Sequence, residues 1–219
     1  RPYRRDQAAP RQQSADLIAA DLLLLNGALP DPRLVKRLAA DCRGVLCADG
    51  GARHAAALGL EPDFIIGDMD SLPKPRPRWK KTVYWCDFDP DRSDFEKALG
   101  FALDIGCAQL FVAGALGGRL DHAMVNLALA RSYSEKLEIV LVDRGTARLL
   151  KPGRYRLPLR RGDTLSLLAA SDKTRLSATG LRFPLKKTPM APGSRGLSNV
   201  ARGPVSLTVH SGSVWAMTA

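Results

Sequence analysis

Between Leu22 and Val142, short apolar runs alternate with segments of helical spacing, and no other feature constrains the fold so tightly. The runs are Leu22–Asn26, Val45–Asp49, Phe64–Gly67, Val83–Asp87, Leu110–Gly114 and Ile139–Val142. Between them lie Asp31–Cys42, the Ala-rich Gly50–Leu60, Ser93–Ile105 and Asp121–Ser132. In Ser93–Ile105 the apolar residues Phe95, Ala98, Leu99, Ala102 and Leu103 follow the i, i+3, i+4 pattern, and Ser93 with Glu96 three residues on forms a capping box. Such alternation covers both faces of each strand with helices. It predicts an α/β fold built on a doubly wound, mostly parallel sheet.

The pattern changes near residue 145. Beyond it, short β-prone pieces (Arg148–Leu150, Arg154–Leu157, Thr164–Leu168, Val205–His210, Val214–Thr218) are separated by Gly, Pro and Ser, which predicts an all-β, sandwich-like C-terminal domain. Lys186–Arg202, rich in Gly, Pro, Ser and basic residues, reads as a long loop. Charge shifts at the same place. Residues 144–219 hold 14 Lys and Arg against two acids, Asp163 and Asp172, whereas residues 1–143 are nearly balanced within a chain of net charge +11. The expected organisation is a mobile basic arm over 1–16, an α/β domain over 17–145 and an all-β domain over 146–219. A basic region attracts anions without choosing among them. Exposed aromatics, a main device for binding single strands, are few there, and charge alone signals no more than electrostatic affinity, so a nucleic-acid partner is not expected.

No run of 18 apolar residues exists, so no transmembrane helix is expected. Asp16 and Asp21 interrupt the first apolar stretch, which speaks against a secretory signal. Cys42, Cys47, Cys86 and Cys107 form no C-x-x-C pair, and Cys47 and Cys86 lie inside apolar runs. That usage predicts core packing in a reducing, cytoplasmic compartment, and with His54, His122 and His210 lacking ligand spacing it makes zinc improbable.

The carboxylates carry the chemistry. The second run ends at Asp49, the third in Asp68 and Asp70, the fourth in Asp87, Asp89 and Asp91, with Asp94 opening the next helix. Ligands of an open parallel sheet bind beyond the carboxyl ends of its strands, so neighbouring strands would deliver these acids to one rim. Like charges gathered there repel unless a cation lies between them, and hard carboxylate oxygens suit Mg²⁺. Each acid alone is also an ordinary cap or turn former. As a set, Asp68, Asp70 and Asp94 are the metal candidates, while Asp87 and Asp89 fit turns better. Gly114 to His122 (GALGGRLDH) follows a strand and opens a helix, where backbone N–H groups and the Arg119 fork can meet a phosphate; a tight turn capped by Asp121 fits equally well. Gly50-Gly51 after Asp49 suits either the close approach of a nucleotide or a turn. Neither G-x-x-x-x-G-K-[ST] nor G-x-G-x-x-G occurs.

Five motifs in order, ADGGA (48–52), GDMDS (67–71), DRSDFEKAL (91–99), GGRLDH (117–122) and GLSN (196–199), resemble those of the thiamine pyrophosphokinase family over about residues 22–217. The resemblance implies pyrophosphate transfer from ATP to the hydroxyethyl group of thiamine, giving thiamine diphosphate and AMP, with Mg²⁺, in a homodimer with sites near the subunit interface. It implies catalytic roles for Asp68, Asp70, Asp94, Arg119 and Asp121, with the first three holding Mg²⁺. It places Asp49, Gly50, Gly51, Ser71, Asp91, Lys97, Gly117 and Gly118 on the nucleotide side, and Phe183, Ser198 and Asn199 on the thiamine side. The chain departs from the family at Met69, where Phe is usual, and at Leu197, where Thr or Ser often stands; no acid follows Asn199.

These roles agree with elementary chemistry. Phosphoryl-type transfer depends on positioning and electrostatic stabilisation, and one well-placed donor such as Arg119 is typically worth ~3–4 kcal/mol. The thiazolium cation suits carboxylates and an aromatic face, from Phe183 or Trp215, with stacking worth ~0.5–2 kcal/mol. Core packing is the expected role of Trp215. The competing functions are a nucleotide- or thiamine-binding module without catalysis and, further off, a Mg²⁺-dependent nucleic-acid-processing protein.

Overall fold

The computed structural model describes residues 20–29 and 31–218; the arm expected over residues 1–16 lies outside them. The first half contains β1 (Ala20–Leu24), α1 (Pro32–Asp41), β2 (Val45–Ala48), a 3₁₀ turn over Asp49–Gly51, α2 (Ala52–Leu58), β3 (Phe64–Gly67) and β4 (Val83–Cys86). It continues with α3 (Asp94–Asp104), β5 (Gln109–Ala113), α4 (Leu120–Tyr133) and β6 (Glu138–Val142). Strands β6-β5-β1-β2-β3-β4 lie side by side, all parallel. The chain runs from β1 outward to β4, then returns to the other side of β1. The reversal point is therefore the crevice between β1 and β5.

Alternation along β1 explains why the sheet is covered twice. Leu23 and Leu25 pack with α3 and α4, whereas Leu22 and Leu24 pack with Val35 of α1 and Ala52 and Ala55 of α2. Each fully buried Leu contributes about 2 kcal/mol from area alone. Helix α1 starts where Asp31 accepts the Arg33 N–H at 2.8 Å and Pro32 takes the first turn. Helix α3 starts where Ser93 accepts the Glu96 N–H at 3.3 Å, as the capping box predicts. That cap fixes Asp94 in the first turn, at the carboxyl edge of the sheet.

Strands β7 (Thr146–Leu150), β8 (Gly153–Leu157), β9 (Thr164–Ala169), β10 (Thr174–Leu181), β11 (Leu185–Met190), β12 (Asn199–Ser211) and β13 (Val214–Thr218) form the rest. Strand β7 pairs antiparallel with β6, so hydrogen bonding runs without a break from the parallel sheet into β7, β13 and β9. Strand β12 bridges two layers. Asn199 and Val200 pair with β9, while Val205–Val209 lie between β10 and β8. Leu165, Leu167, Leu176, Val205, Leu207 and Val214 fill the space between the layers, giving the predicted sandwich.

Two expectations need correction, and one strand escapes the sequence pattern. Lys186–Arg202 is not one long loop, because it holds most of β11 and the start of β12. Strand β10 (TRLSATGL) went unrecognised because its inward positions are partly Ala and Thr, so its period-2 pattern is faint in hydropathy. Cys86 is exposed, not packed in the core, because β4 is the last strand of the sheet and all four of its residues remain exposed.

Candidate active site

Strands β2, β3 and β4 are neighbours, and their carboxyl ends carry Asp49, Asp68 with Asp70, and Asp87. One carboxylate oxygen from each of Asp49, Asp68 and Asp70 lies within 4.8 Å of the others. Asp49 is fully buried. Its Oδ2 accepts the Ser71 N–H at 3.0 Å, whereas its Oδ1 is buried with no hydrogen-bond partner among the described residues. Burial, reinforced by Asp94 and Asp68 against the Ser71 hydrogen bond, pushes the Asp49 carboxyl up to about 6. Asp94 borders the triad: burial raises its carboxyl above the ordinary range, opposed by Lys97. A buried carboxylate with one orphaned oxygen, clustered with two further carboxylates, is a costly arrangement that a divalent cation would relieve, so the donor set fits Mg²⁺.

Backbone makes this convergence possible. Gly67 has φ of +145°, and a Cβ there would stand 2.8 Å from the Asp49 Cβ and 3.0 Å from an Asp94 oxygen. Asp68 and Asp70 are held by a local turn, with Asp70 N–H donating to Asp68 Oδ1 at 3.2 Å and Ser71 Oγ to Asp70 Oδ1 at 2.8 Å. Met69, at φ of +69°, packs against the core beneath.

Asp68 and Asp94 open onto a cleft of about 700 Å³ at the reversal point, which Asp49 and Asp70 do not line. Of the residues assigned from sequence, Asp68, Ser71, Asp94, Lys97, Gly117, Gly118 and Arg119 line it. Lys97 is buried, and its Nζ lies 3.6 Å from Asp94 Oδ1. Gly50 and Gly51 form the buried turn after β2. Arg119 is exposed and grips Asp121 through Nε and Nη2, which holds the Asp121 carboxyl down at about 2. Asp121 therefore does not cap α4; Arg119 occupies that position without a side-chain cap bond. Asp91 N–H donates to Asp89 Oδ1 at 3.0 Å. Arg92 takes both Asp87 and Asp89, each at 2.8 Å, so those two acids have a cation of their own.

Several cleft residues were not foreseen. Asn26 and Gly27 follow β1 directly and line the cleft, as do Phe88 and Asn126. Arg53 donates to Asn26 Oδ1, and His54 Nε2 donates to the Gly27 carbonyl at 2.7 Å. Gly27 N–H bonds the Gly114 carbonyl at 3.0 Å, and a Cβ on Gly27 would stand 2.2 Å from the Gly117 oxygen. The loops after β1 and β5 thus touch at the floor of the crevice. Position alone signalled them: once β1 is central, the residues that follow it must border the switch point.

Phe183, Ser198 and Asn199 lie on the sandwich and do not line this cleft. Asn199 is buried, accepting the Phe183 N–H at 3.1 Å and donating to the Phe183 carbonyl at 2.7 Å. Both ends of its amide thereby hold Phe183 in place. The Phe183 ring is exposed, with the Arg182 guanidinium 5.5 Å from its centroid. Ser198 is exposed, and its N–H donates to Ser166 Oγ. Trp215 packs against the core, as expected.

Residues 35–141, which hold every acid of the cluster, match the family model "Thiamin pyrophosphokinase, catalytic domain". The chain is 28% identical over 250 residues to thiamine pyrophosphokinase 1 of Oryza sativa subsp. japonica, covering 96% of this chain and 92% of that protein. The family model, this relative and the solved structures of this fold all indicate the thiamine pyrophosphokinase family. Thiamine pyrophosphokinase 2 of Arabidopsis thaliana is likewise 28% identical, over 88% of this chain and 82% of its own. The crystal structure of thiamine pyrophosphokinase from Bacillus subtilis shares the fold, with a TM-score of 0.79 at 19% identity over 91% of this chain and 98% of that one. Among the described residues, no helix is long and apolar enough to cross a membrane.

Proposed function

We propose that this protein transfers the pyrophosphoryl group of ATP to the hydroxyethyl oxygen of thiamine, releasing AMP and thiamine diphosphate, with Mg²⁺ held by Asp49, Asp68 and Asp70 beside Asp94. The observation that carries it is the buried Asp49 carboxylate, with one oxygen orphaned, in a three-carboxylate cluster beside a nucleotide-sized cleft, within the stretch that matches the family's catalytic domain. Bound there, Mg²⁺ would neutralise phosphate charge and polarise the phosphoryl oxygens. The chain's own groups do the rest. Lys97, a buried ammonium on the cleft wall, attracts phosphate oxygens into the site. Arg119 exchanges its exposed carboxylate partner for a phosphate at little cost, since surface ion pairs contribute under about 1 kcal/mol. Gly117 and Gly118 line the same cleft, and backbone of this kind can present N–H groups to a phosphate. Asp91 and the Gly50-Gly51 turn complete the nucleotide side, and Phe183, positioned by Asn199 beside Ser198, offers the thiazolium an aromatic face.

We assign residues 17–145 to nucleotide and metal binding and 146–219 to thiamine binding and dimerisation, in a cytoplasmic setting consistent with four unpaired cysteines. Dimer formation also draws on α4 of the first domain, where Leu120, Met124 and Val125 are 76%, 64% and 49% exposed. Met124→Asp is expected to halve the mass seen by sedimentation; a wild-type chain that sediments as a monomer overturns the dimer. For the activity, the protein is mixed with Mg·ATP and thiamine and the products are separated by chromatography. Equal amounts of AMP and thiamine diphosphate are expected. ADP as the product, or AMP formed without thiamine, refutes the assignment.

A further inference from the structure

The outer face of the sandwich carries the basic excess that the reaction does not use. Strands β11, β10, β12 and β8 lie side by side, with register shifts in β10, and side chains alternate in and out along β8, β10 and β12. Leu176, Ala178, Val205, Leu207 and Val209 point into the core. The neighbours that point outward are mostly basic or hydroxyl-bearing: Arg154 and Arg156 on β8, Arg175, Ser177 and Thr179 on β10, and Ser206, Thr208 and His210 on β12. Register sets them in rows. Ser177 stands beside Thr208, which stands beside Arg154; Thr179 stands beside Ser206, which stands beside Arg156. Lys187 borders the face, its N–H donating to Ser177 Oγ at 2.9 Å and its carbonyl accepting from Arg175. Ser177 Oγ also meets His210 Nε2 at 2.8 Å.

None of Arg154, Arg156, Arg175 and Lys187 pairs with a carboxylate among the described residues. The two acids of this half stand elsewhere: Asp163 accepts the Arg160 N–H in the turn before β9, and Asp172 lies in the turn before β10. A flat face of unpaired cations with hydroxyl donors between them matches a repeating array of phosphates. We propose that this face binds the phosphodiester backbone of double-stranded nucleic acid without reading its sequence. No aromatic side chain projects from it, so it has no platform for stacking unpaired bases, which selects a duplex over a single strand. The apolar side chains exposed on these strands, among the described residues, are Pro189 and Pro204, and neither is a large group that inserts into lipid. Stable membrane attachment requires a second signal beside charge, whereas phosphate neutralisation alone suffices for non-specific duplex binding.

The test is fluorescence anisotropy of the full chain with a labelled 20-base-pair duplex between 50 and 200 mM salt. Four cations predict a slope of log K against log salt near −3.6, a loss of ~150-fold across that range. Arg154→Ser with Arg156→Ser is expected to bring the slope to about −1.8, and Arg175→Ser alone to reduce its magnitude by about 0.9, with thiamine pyrophosphorylation unchanged in both. No binding at 50 mM salt overturns the proposal. So does a slope that both variants leave intact, which would place binding elsewhere on the chain. Capture by phosphatidylserine vesicles without duplex binding overturns it in favour of a membrane surface.

Discussion

Asp70→Asn is expected to lower kcat by about 10³-fold while leaving the melting temperature within about 2 °C of wild type. The amide keeps the shape of the carboxyl and keeps an oxygen for the Ser71 hydroxyl, which donates to Asp70 Oδ1 at 2.8 Å. What it removes is one of three negative charges whose oxygens lie within 4.8 Å. Asp70 is exposed, so its neutralisation orphans no buried group and the fold is spared. The change in activity is large because charge stabilisation, not covalent chemistry, carries this class of transfer. Asp89→Asn is the matched control. Its carboxylate is already satisfied by Arg92 at 2.8 Å, and it stands outside the triad, so most of the activity is expected to survive. Retention of more than a tenth of kcat in Asp70→Asn would remove the acid cluster from the mechanism.

The parts of the site legible in the sequence are those fixed by local rules. Ser93 and Glu96 announced the start of α3, and the cap then delivered Asp94 to the carboxyl edge. The acids at the ends of three successive apolar runs needed only one further premise, that those strands are adjacent, and β2, β3 and β4 are. The residues that escaped depend on distant partners. Nothing in ADGGA says that Asp49 is the buried member of the cluster; that follows from Ser71 and Gly67 closing over it. Asn199 read as a ligand-facing amide, yet both ends of it are spent on the backbone of Phe183, 16 residues away. Cys86 looked like a core residue because hydropathy does not distinguish a central strand from an edge. Strand β10 was hidden by small residues whose burial is set by the facing layer, not by their own polarity.

Asp49→Asn is expected to stabilise the metal-free protein, by an amount that grows with pH. In the folded chain the Asp49 carboxyl titrates at about 6, against about 3.9 when unfolded. Below pH 4 both states carry the proton and the group adds no pH dependence. Between pH 4 and 6 the folded state holds a proton that the unfolded state has released, so stability falls as pH rises. Above pH 6 the buried carboxylate is ionised in both states and the loss levels off, on the order of 2 kcal/mol. The asparagine variant lacks this ionisation and keeps the Oδ acceptor for the Ser71 N–H. The difference in unfolding free energy between variant and wild type should therefore open between pH 4 and 7, as about 4–8 °C in melting temperature for a chain of this size. Saturating Mg²⁺ favours the carboxylate, since a cation binds the ionised form, and should reverse the order of the two proteins at pH 7. Chemical denaturation with and without EDTA measures both effects. A difference that stays flat across that pH range would show that the Asp49 oxygen is already satisfied, and the cluster would lose its reason to hold a metal ion.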